Sequence, residues 1–387
     1  MIKRNLALFK ADNFLNGLWP LCAVAIIYFE KIAHSYTLAM LVFSIINFCQ
    51  SAAEVPTGII SDKIGRKKSM MSGTFLILSG YVLWALAGFY QMSTLLYIGA
   101  AFVGTGNAFI SGTDDALVFE TITQMGKKDE FDKVFADNRS FDELGIAIGA
   151  TFATIIYFYT SIEILAYLAV LPAFLRFLTS CFYIEPDYIE RTKNSFVNHM
   201  IVSLKALIKS PKLLKFALTK SLNDSFNAVN WRFVGAYYEQ IISPWLINVV
   251  RIFQEIMGYI SYRFVKSVRQ KNPRDVLFLS IFINALIKML GAAINCVISP
   301  FVMASSTLLY GISTTFENNL LQQQLTDQER ATMGSVIALW TTFLNVLIFL
   351  LIGYIADLSS ARISIFVIMF FRMLIAILYR QILKPLE

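Results

Sequence analysis

Long apolar runs separated by short polar segments dominate this chain. An α-helix needs about 20 residues to cross the hydrocarbon core of a bilayer, and twelve runs approach or exceed that length. We predict spans at residues 13–30, 36–60, 70–90, 94–119, 140–160, 162–184, 214–238, 243–265, 275–297, 301–322, 333–355 and 362–383. The pattern therefore predicts an all-α polytopic membrane protein of about twelve transmembrane helices.

The composition supports the same class. Of the 387 residues, 57% are hydrophobic and only 15% are charged, whereas a soluble domain carries about 25% charged residues. A short basic segment precedes the first run and resembles a signal peptide, but Pro20 interrupts the run and no small-residue cleavage site follows it. We therefore expect an uncleaved first span.

The basic residues are distributed unevenly among the predicted loops. Of the 33 lysines and arginines, 25 fall on the side that holds both termini, two fall on the opposite side, and six lie inside apolar runs. Lysine and arginine accumulate in cytoplasmic loops, so we expect both termini in the cytoplasm and the chain in the cytoplasmic (inner) membrane. The net charge of +7 is thereby explained by topology, and nucleic acid is not an expected partner.

Cofactor and metal chemistry is not indicated by the sequence. The two histidines are isolated, and the four cysteines lie in apolar runs without metal-ligand spacing. A membrane-embedded enzyme would need a catalytic cluster, and ATP-driven transport would need a phosphate-binding loop; neither pattern occurs. We expect no cofactor and no enzymatic activity. The cysteines are Cys22, Cys49, Cys181 and Cys296.

The polar loop after the second run has a distinctive sequence. It reads Gly58-Ile-Ile-Ser-Asp62-Lys63-Ile-Gly65-Arg66-Lys67-Lys68. Gly65 permits a tight turn, and Gly58 removes a side chain where two helices can touch. The basic residues hold the loop in the cytoplasm, and we expect Asp62 to stay ionised among them.

This loop resembles the signature between the second and third spans of the major facilitator superfamily. The resemblance implies a secondary transporter whose two six-helix halves are related by a parallel repeat and work by alternating access. A faint second copy, Gly258-Tyr-Ile-Ser-Tyr262-Arg263, aligns with Gly58 to Lys63 but replaces the aspartate with Tyr262. We accordingly predict an N-terminal bundle at 1–184 and a C-terminal bundle at 214–387. The segment 185–213 between them is either an amphipathic helix on the inner membrane face or a plain linker.

Spans seven and eight carry unusual polarity. Ionisable groups at membrane depth are costly and usually face the bundle interior, and the resemblance places these two spans at or beside the solute cavity. We expect a proton to be the coupling ion, because burial favours the neutral form of a carboxyl group. A permanent structural salt-bridge cluster is the alternative. The predicted solute-binding residues are Asn223, Asn227, Trp231, Arg232 and Arg251, and the predicted proton acceptors are Asp224 and Glu255.

Other polar residues lie nearer the inner ends of the spans. For the inner group of Glu54, Asp114, Asp115 and Glu120 we expect a latch role in preference to solute binding. We expect one of the two adjacent aspartates, or Glu120, to pair with Arg66 and latch the first half. Asn16 and Glu317 are weaker candidates for the cavity mouth. Asp142 and Glu143 are placed to stabilise the N-terminus of span five. For Arg176, Lys288 and Arg372 we expect inward packing or snorkelling.

The function predicted from these features is secondary transport of a small polar or amphipathic organic solute, with protons and the lipid bilayer as further partners and a monomer as the expected state. Two directions stay open: multidrug-type efflux, and uptake of an organic anion or a metal chelate of the siderophore kind. Span five lacks the proline-containing glycine motif that the resemblance associates with drug–proton antiporters. A membrane sensor that moves no solute is a more distant alternative.

Overall fold

The computed structural model describes residues 2–127, 130–187, 211–268, 270–322 and 327–383. Within these residues the chain is helical and contains no β-strand. It divides into two compact units, Met1–Lys193 (unit 1) and Asn194–Glu387 (unit 2). Most of the predicted linker 185–213, residues 188–210, lies outside the described residues, so its predicted amphipathic helix stays a prediction.

The described residues of unit 1 form eight helices that build six membrane-spanning stretches. Two stretches are interrupted, the first between α1 and α2 and the fourth between α5 and α6. The helices are α1 (Arg4–Gly17), α2 (Ala25–Ala33), α3 (Tyr36–Ile64), α4 (Arg66–Tyr90), α5 (Ser93–Ile110), α6 (Thr113–Gln124), α7 (Phe131–Tyr159) and α8 (Ile162–Cys181).

Unit 2 also builds six stretches from its described residues. Its fourth stretch is interrupted by a 3-10 turn at Ser306–Leu309. The helices are α9 (Pro211–Tyr238), α10 (Pro244–Val268), α11 (Pro273–Ile294), α12 (Ser299–Ser305), α13 (Tyr310–Gln322), α14 (Asp327–Leu358) and α15 (Ala361–Ile382).

The prediction of an all-α membrane protein with about twelve spans in two six-helix bundles is confirmed. Eight helical segments are long and apolar enough to cross a bilayer, and the remaining stretches are broken or unusually polar. The first stretch breaks near Pro20, because proline removes a backbone donor. The fourth breaks at Gly112, whose φ of 72° is readily adopted only by a residue without a Cβ.

Two helix boundaries differ from the sequence prediction in ways that matter for the site. Helix α1 begins at Arg4, nine residues before the predicted start at 13. Helix α7 begins at Phe131 rather than 140. Asp142 and Glu143 therefore lie inside α7, and the prediction that they stabilise its N-terminus is wrong.

Small residues allow the helices of unit 1 to approach closely, as interhelical packing in membranes requires. A Cβ on Gly17 would lie 2.0 Å from the carbonyl oxygen of Asp142, and a Cβ on Gly145 would lie 2.2 Å from that of Phe14. Both glycines therefore allow α1 and α7 to pack in direct contact. At Gly58 the prediction of a close contact is wrong, because a Cβ there would meet nothing within 4 Å among the described residues.

Hydroxyl groups join the helices of unit 2. Ser221 and Ser225 of α9 donate to the backbone oxygens of Ile337 and Thr341 on α14, at 3.3 and 3.1 Å. The two serines are four residues apart, and so are their two acceptors in the same order along the chain. Helices α9 and α14 therefore run parallel. Large apolar side chains such as Phe343, which is 65% exposed, cover the outer surface, as expected for helices surrounded by lipid.

Candidate functional site

Arg66 is the centre of a polar network at the end of unit 1 where α3 meets α4. Its side chain lies 3.0 Å from a carboxylate oxygen of Asp62 and 3.2 Å from one of Glu120, and it donates to Ser61 Oγ at 3.2 Å. Gly65 makes the turn between the helices with a φ of 95°. The pairing with Glu120 that the sequence suggested is present, and its role as a latch stays a prediction.

Glu185 completes this network from a distant part of the chain. Its two carboxylate oxygens accept the backbone N–H groups of Arg66 and Lys67, at 2.6 and 2.7 Å. The first N–H groups of a helix have no partner within the helix, and a carboxylate is favoured at this positive end. Glu185 therefore caps α4 and ties the chain that leaves α8 to the signature loop.

The other predicted latch residues have different partners. Asp114 and Asp115 lie 3.4 and 3.3 Å from Arg139 of α7 rather than near Arg66. Glu54 is exposed, and its carboxylate pairs with no described residue. Of the predicted partners of Arg66, Glu120 is therefore the one that the structure brings to it, because α6 turns both aspartates towards α7 and leaves Glu120 facing Arg66.

A polar cavity of about 230 Å³ lies inside unit 1. Charged side chains of both signs and four carboxamide side chains surround the cavity. These groups could replace the hydrogen bonds that a polar solute makes with water. The residues lining it are Asp12, Asn13, Asn16, Gln50, Asn107, Ile110, Ser111, Asp114, Arg139 and Arg176.

A buried ion pair forms one wall of this cavity. Arg176 of α8 donates from Nε and Nη2 to the two carboxylate oxygens of Asp12, each at 3.1 Å. Its Nη1 donates to Asn16 Oδ1 at 2.6 Å, and Asn16 in turn donates to Asp142 at 2.9 Å. Arg176 is therefore packed inward and does not snorkel, and the structure adds Asp12 and Asp142 to the predicted Asn16.

In unit 2, one lysine is shared by two carboxylates. Lys220 lies 3.1 Å from Asp224 on the next turn of α9 and 3.2 Å from Glu317 on α13. Glu317 is 2% exposed and also accepts hydrogen bonds from Asn223 at 3.2 Å and from Tyr379. We call Lys220, Asn223, Asp224, Glu317 and Tyr379 the lysine cluster.

The contacts within the lysine cluster differ from the roles that the sequence predicted for its members. Glu317 was expected at the cavity mouth, yet it is the most buried carboxylate of the group. Lys220 and Tyr379 were not proposed as site residues, because neither has a sequence motif. Along the sequence, Lys220 lies 97 residues from Glu317 and Tyr379 lies 62 residues from it.

The predicted pair on span eight is formed. Arg251 Nε lies 2.8 Å from Glu255 on the next turn of α10, and its guanidinium stacks on the Trp231 ring with 4.1 Å to the centroid. Arg232 lies 5.6 Å from the same ring. Arg251 is buried, whereas the Glu255 side chain is 36% exposed, so the carboxylate is the accessible member of the pair.

Several buried uncharged polar atoms of unit 2 lack a hydrogen-bond partner among the described residues. They lie on α9, α10 and α14, and Asn227, which is half-buried, makes no side-chain hydrogen bond in that part of the chain either. Buried polar groups are normally paired, so these atoms are available to a solute or to water. They are Asn223 Oδ1, Asn230 Oδ1, both amide atoms of Asn248, Thr341 Oγ1 and Asn345 Oδ1.

Comparison with known proteins identifies the family to which this architecture belongs. The family model described as Major Facilitator Superfamily matches residues 13–379. Comparison with curated protein sequences found no match. Three similar solved structures are transporters, and at 11–15% identity such likeness shows the fold alone.

The solved structures cover nearly the whole chain. A mutant of the nucleoside transporter NupG has a TM-score of 0.83 at 12% identity, covering 98% of this chain and all of its own. The POT family transporter PepTSo has a TM-score of 0.72 at 12% identity, with 98% and 97% covered. A mutant of the E. coli fucose:proton symporter FucP has a TM-score of 0.60 at 15% identity, with 99% and 100% covered.

The family match indicates a transporter rather than an enzyme. Together with the two helical bundles and the Arg66 loop, the match over residues 13–379 shows that the chain is a multi-pass membrane protein that belongs to the Major Facilitator Superfamily of secondary transporters.

Proposed function

We propose that this chain moves a small polar organic solute across the cytoplasmic membrane by alternating access, coupled to the movement of protons. The observation that carries the proposal is that each bundle encloses buried acid–base pairs beside other polar groups. In unit 1 the pair is Asp12 with Arg176, and in unit 2 it is Glu317 with Lys220. A purely structural bundle gains little from such pairs, because desolvation offsets their attraction.

The neighbouring structures support a hydrophilic solute. They include a nucleoside transporter, a peptide transporter and a fucose:proton symporter. These solutes all present several hydrogen-bonding groups, which matches the carboxamide-lined cavity of unit 1 and the unpartnered carboxamide atoms of unit 2. An amphipathic drug would instead prefer an apolar, aromatic cavity.

The carboxylates of unit 2 support proton coupling. Asp224 and Glu255 each have side chains that are 36% exposed and each pair with a cation four residues away. Protonation of Glu255 would release Arg251, and protonation of Asp224 would leave Lys220 with Glu317 as its carboxylate partner. The charge available to a solute would therefore change with the proton. Arg251 and Arg232 then serve to bind a polar or anionic group, with Trp231 holding them in place.

The first experiment identifies the solute. Purified protein is screened for thermal stabilisation by nucleosides, dipeptides, monosaccharides and organic acids, because a bound ligand raises apparent stability by mass action. Proteoliposomes with an imposed pH gradient are then loaded with the best solute, and gradient-driven uptake is compared with solute exchange.

The coupling residues have a distinct expected outcome. Asp224→Asn and Glu255→Gln should lose gradient-driven uptake at one or both positions while solute exchange continues, since exchange needs no net proton movement. The matched control is Glu54→Gln, which removes an exposed carboxylate that has no described partner. If both variants keep wild-type gradient-driven uptake, the assignment of coupling to these residues is wrong.

A further inference from the structure

Lys288 is a buried cation without a partner. It lies on α11, its residue is 8% exposed, and it makes no hydrogen bond or ion pair with any described residue. An unpaired buried charge is among the most costly features that a protein interior can contain. Lys220, a partly buried lysine of this unit, differs because it contacts two carboxylates.

A second buried cation lies beside it. Arg372 of α15 is 3% exposed and donates from Nη1 to Asn284 Oδ1 at 2.8 Å, while its Nε has no partner. Asn284 lies one helical turn from Lys288, on the same face of α11. The amide nitrogen of Asn284 is already used by Ser306. The free donors at this position therefore belong to the two cations.

The charged groups that act on Lys288 are the guanidinium groups of Arg372 and Arg251. The carboxylates of Glu317 and Asp224 act on Arg372. The described parts of α12, α13 and α15 supply one carboxylate, Glu317, which is already bound to Lys220, Asn223 and Tyr379. Glu317 lies roughly 16 Å along the helix axis from Ser306, at 1.5 Å per residue, so it does not neutralise Lys288.

We propose that Lys288 and Arg372 form an anion site inside unit 2, which takes one compact anionic group such as chloride, a carboxylate or a phosphate. The anion accepts hydrogen bonds from the Lys288 ammonium and from Arg372 Nε, which satisfies both donors at once. A charge-assisted hydrogen bond is shorter and stronger than a neutral one. Binding therefore gives Lys288, which pairs with no described residue, an anionic partner.

The site is distinct from the proposed transport. Lys288 and Arg372 lie on α11 and α15, outside the residues assigned to solute or proton binding. The anionic group comes from a free inorganic ion, a small organic acid or the headgroup of an acidic lipid. All three share the chemistry that two adjacent cations recognise, and separate arms of the experiment distinguish them.

Thermal unfolding of the purified full chain tests the site. At constant ionic strength, sodium gluconate, whose bulky six-carbon polyhydroxy chain excludes it from a site for a compact anion, is replaced stepwise by chloride, acetate or phosphate. A further arm compares phosphatidylglycerol with phosphatidylcholine in the micelles. We expect at least one arm to raise the wild-type unfolding temperature saturably, by about 2 °C or more. The arm that does so identifies the source of the anion.

Lys288→Met should abolish that response, and its unfolding temperature in gluconate should equal or exceed that of the wild type, because the unpaired charge is gone. Lys31→Met, which removes an exposed lysine paired with Glu163, should keep the full response. Arg372→Gln gives a second test if Lys288→Met does not fold, and it should weaken the response.

Two results overturn the proposal: an unfolding temperature of the wild type that is the same in every anion and lipid, or a full response in a folded Lys288→Met or Arg372→Gln protein. Both results concern binding by purified protein. Loss of solute flux, in contrast, bears on the proposed function and leaves the anion site unaffected.

Discussion

Arg176 and Asp12 face each other inside unit 1 through two hydrogen bonds of 3.1 Å each, between residues separated by 164 positions. The guanidinium and carboxylate planes match in this geometry, which gives both strength and a defined orientation. Asn16 extends the pair towards Asp142, so three helices, α1, α7 and α8, meet at one buried charge pair.

Replacing one member of this pair should destabilise the protein strongly. Arg176→Gln leaves the Asp12 carboxylate buried without its cation, and breaking a buried pair costs about 3–5 kcal/mol. Thermal unfolding of the purified protein measures the loss. The control is Arg139→Gln, whose side chain is 47% exposed and whose pairs should contribute about 1 kcal/mol or less. Equal effects of the two substitutions would contradict the buried-pair interpretation.

The two glycines of the signature loop should respond in opposite ways to alanine. Gly65→Ala introduces a Cβ at a φ of 95° and 2.8 Å from a Glu185 oxygen, so we expect a loss of about 1–3 kcal/mol from backbone strain and a displaced cap. Gly58→Ala meets open space in a helix and should be neutral or stabilising by up to about 1 kcal/mol. Unfolding temperatures measure both, and the reverse order would show that the turn geometry described is wrong.

Lys220 and Glu317 should behave as one unit. Lys220→Met strands the buried Glu317 carboxylate and should cost about 3–5 kcal/mol. The double variant Lys220→Met with Glu317→Gln should recover most of that stability, because both charges leave together and Tyr379 keeps a hydrogen-bond partner. A double-mutant cycle of unfolding free energies measures the coupling, and strictly additive effects would contradict a direct pair.

The arrangement of spans could be predicted because hydropathy acts locally. Each apolar run is long enough to cross the bilayer on its own, and the loop from Gly58 to Lys68 has a sequence that few other structures share. The i,i+4 pair of Arg251 and Glu255 was likewise predictable, because helical periodicity alone brings these residues together.

The missed residues depend on contacts between distant parts of the chain. Asp12 lay outside the predicted first span because the run of apolar residues begins after it, yet α1 starts at Arg4. Glu185 caps a helix that begins 119 residues earlier, and no local pattern reveals such a partner. The directions in which Asp114, Asp115 and Glu120 point from α6 could not be predicted either, because they depend on the start of that helix at Thr113.

The predicted latch at Arg66 has its own test. Arg66→Ala removes the contacts with Asp62 and Glu120, so we expect the balance between accessible states to shift by roughly fivefold, the change that about 1 kcal/mol produces. The readout is the labelling rate of Asn107→Cys, a cavity position, in a protein without the native cysteines.

Lys68→Ala is the matched control for this latch, because it removes the same charge from an exposed neighbour without a described partner. Its labelling rate should stay at the wild-type value. An unchanged rate in Arg66→Ala, measured in parallel, would remove the latch role and leave the Arg66 network as a structural contact.

Net solute movement is the most direct test of the central claim, that this chain is a transporter for a polar solute. The radiolabelled solute that stabilises the purified protein is added outside proteoliposomes and protein-free liposomes, with and without a pH gradient. We predict saturable uptake that requires the protein and exceeds equilibration when the gradient is present. Saturable binding without uptake above the protein-free liposomes would contradict the account and indicate a membrane sensor.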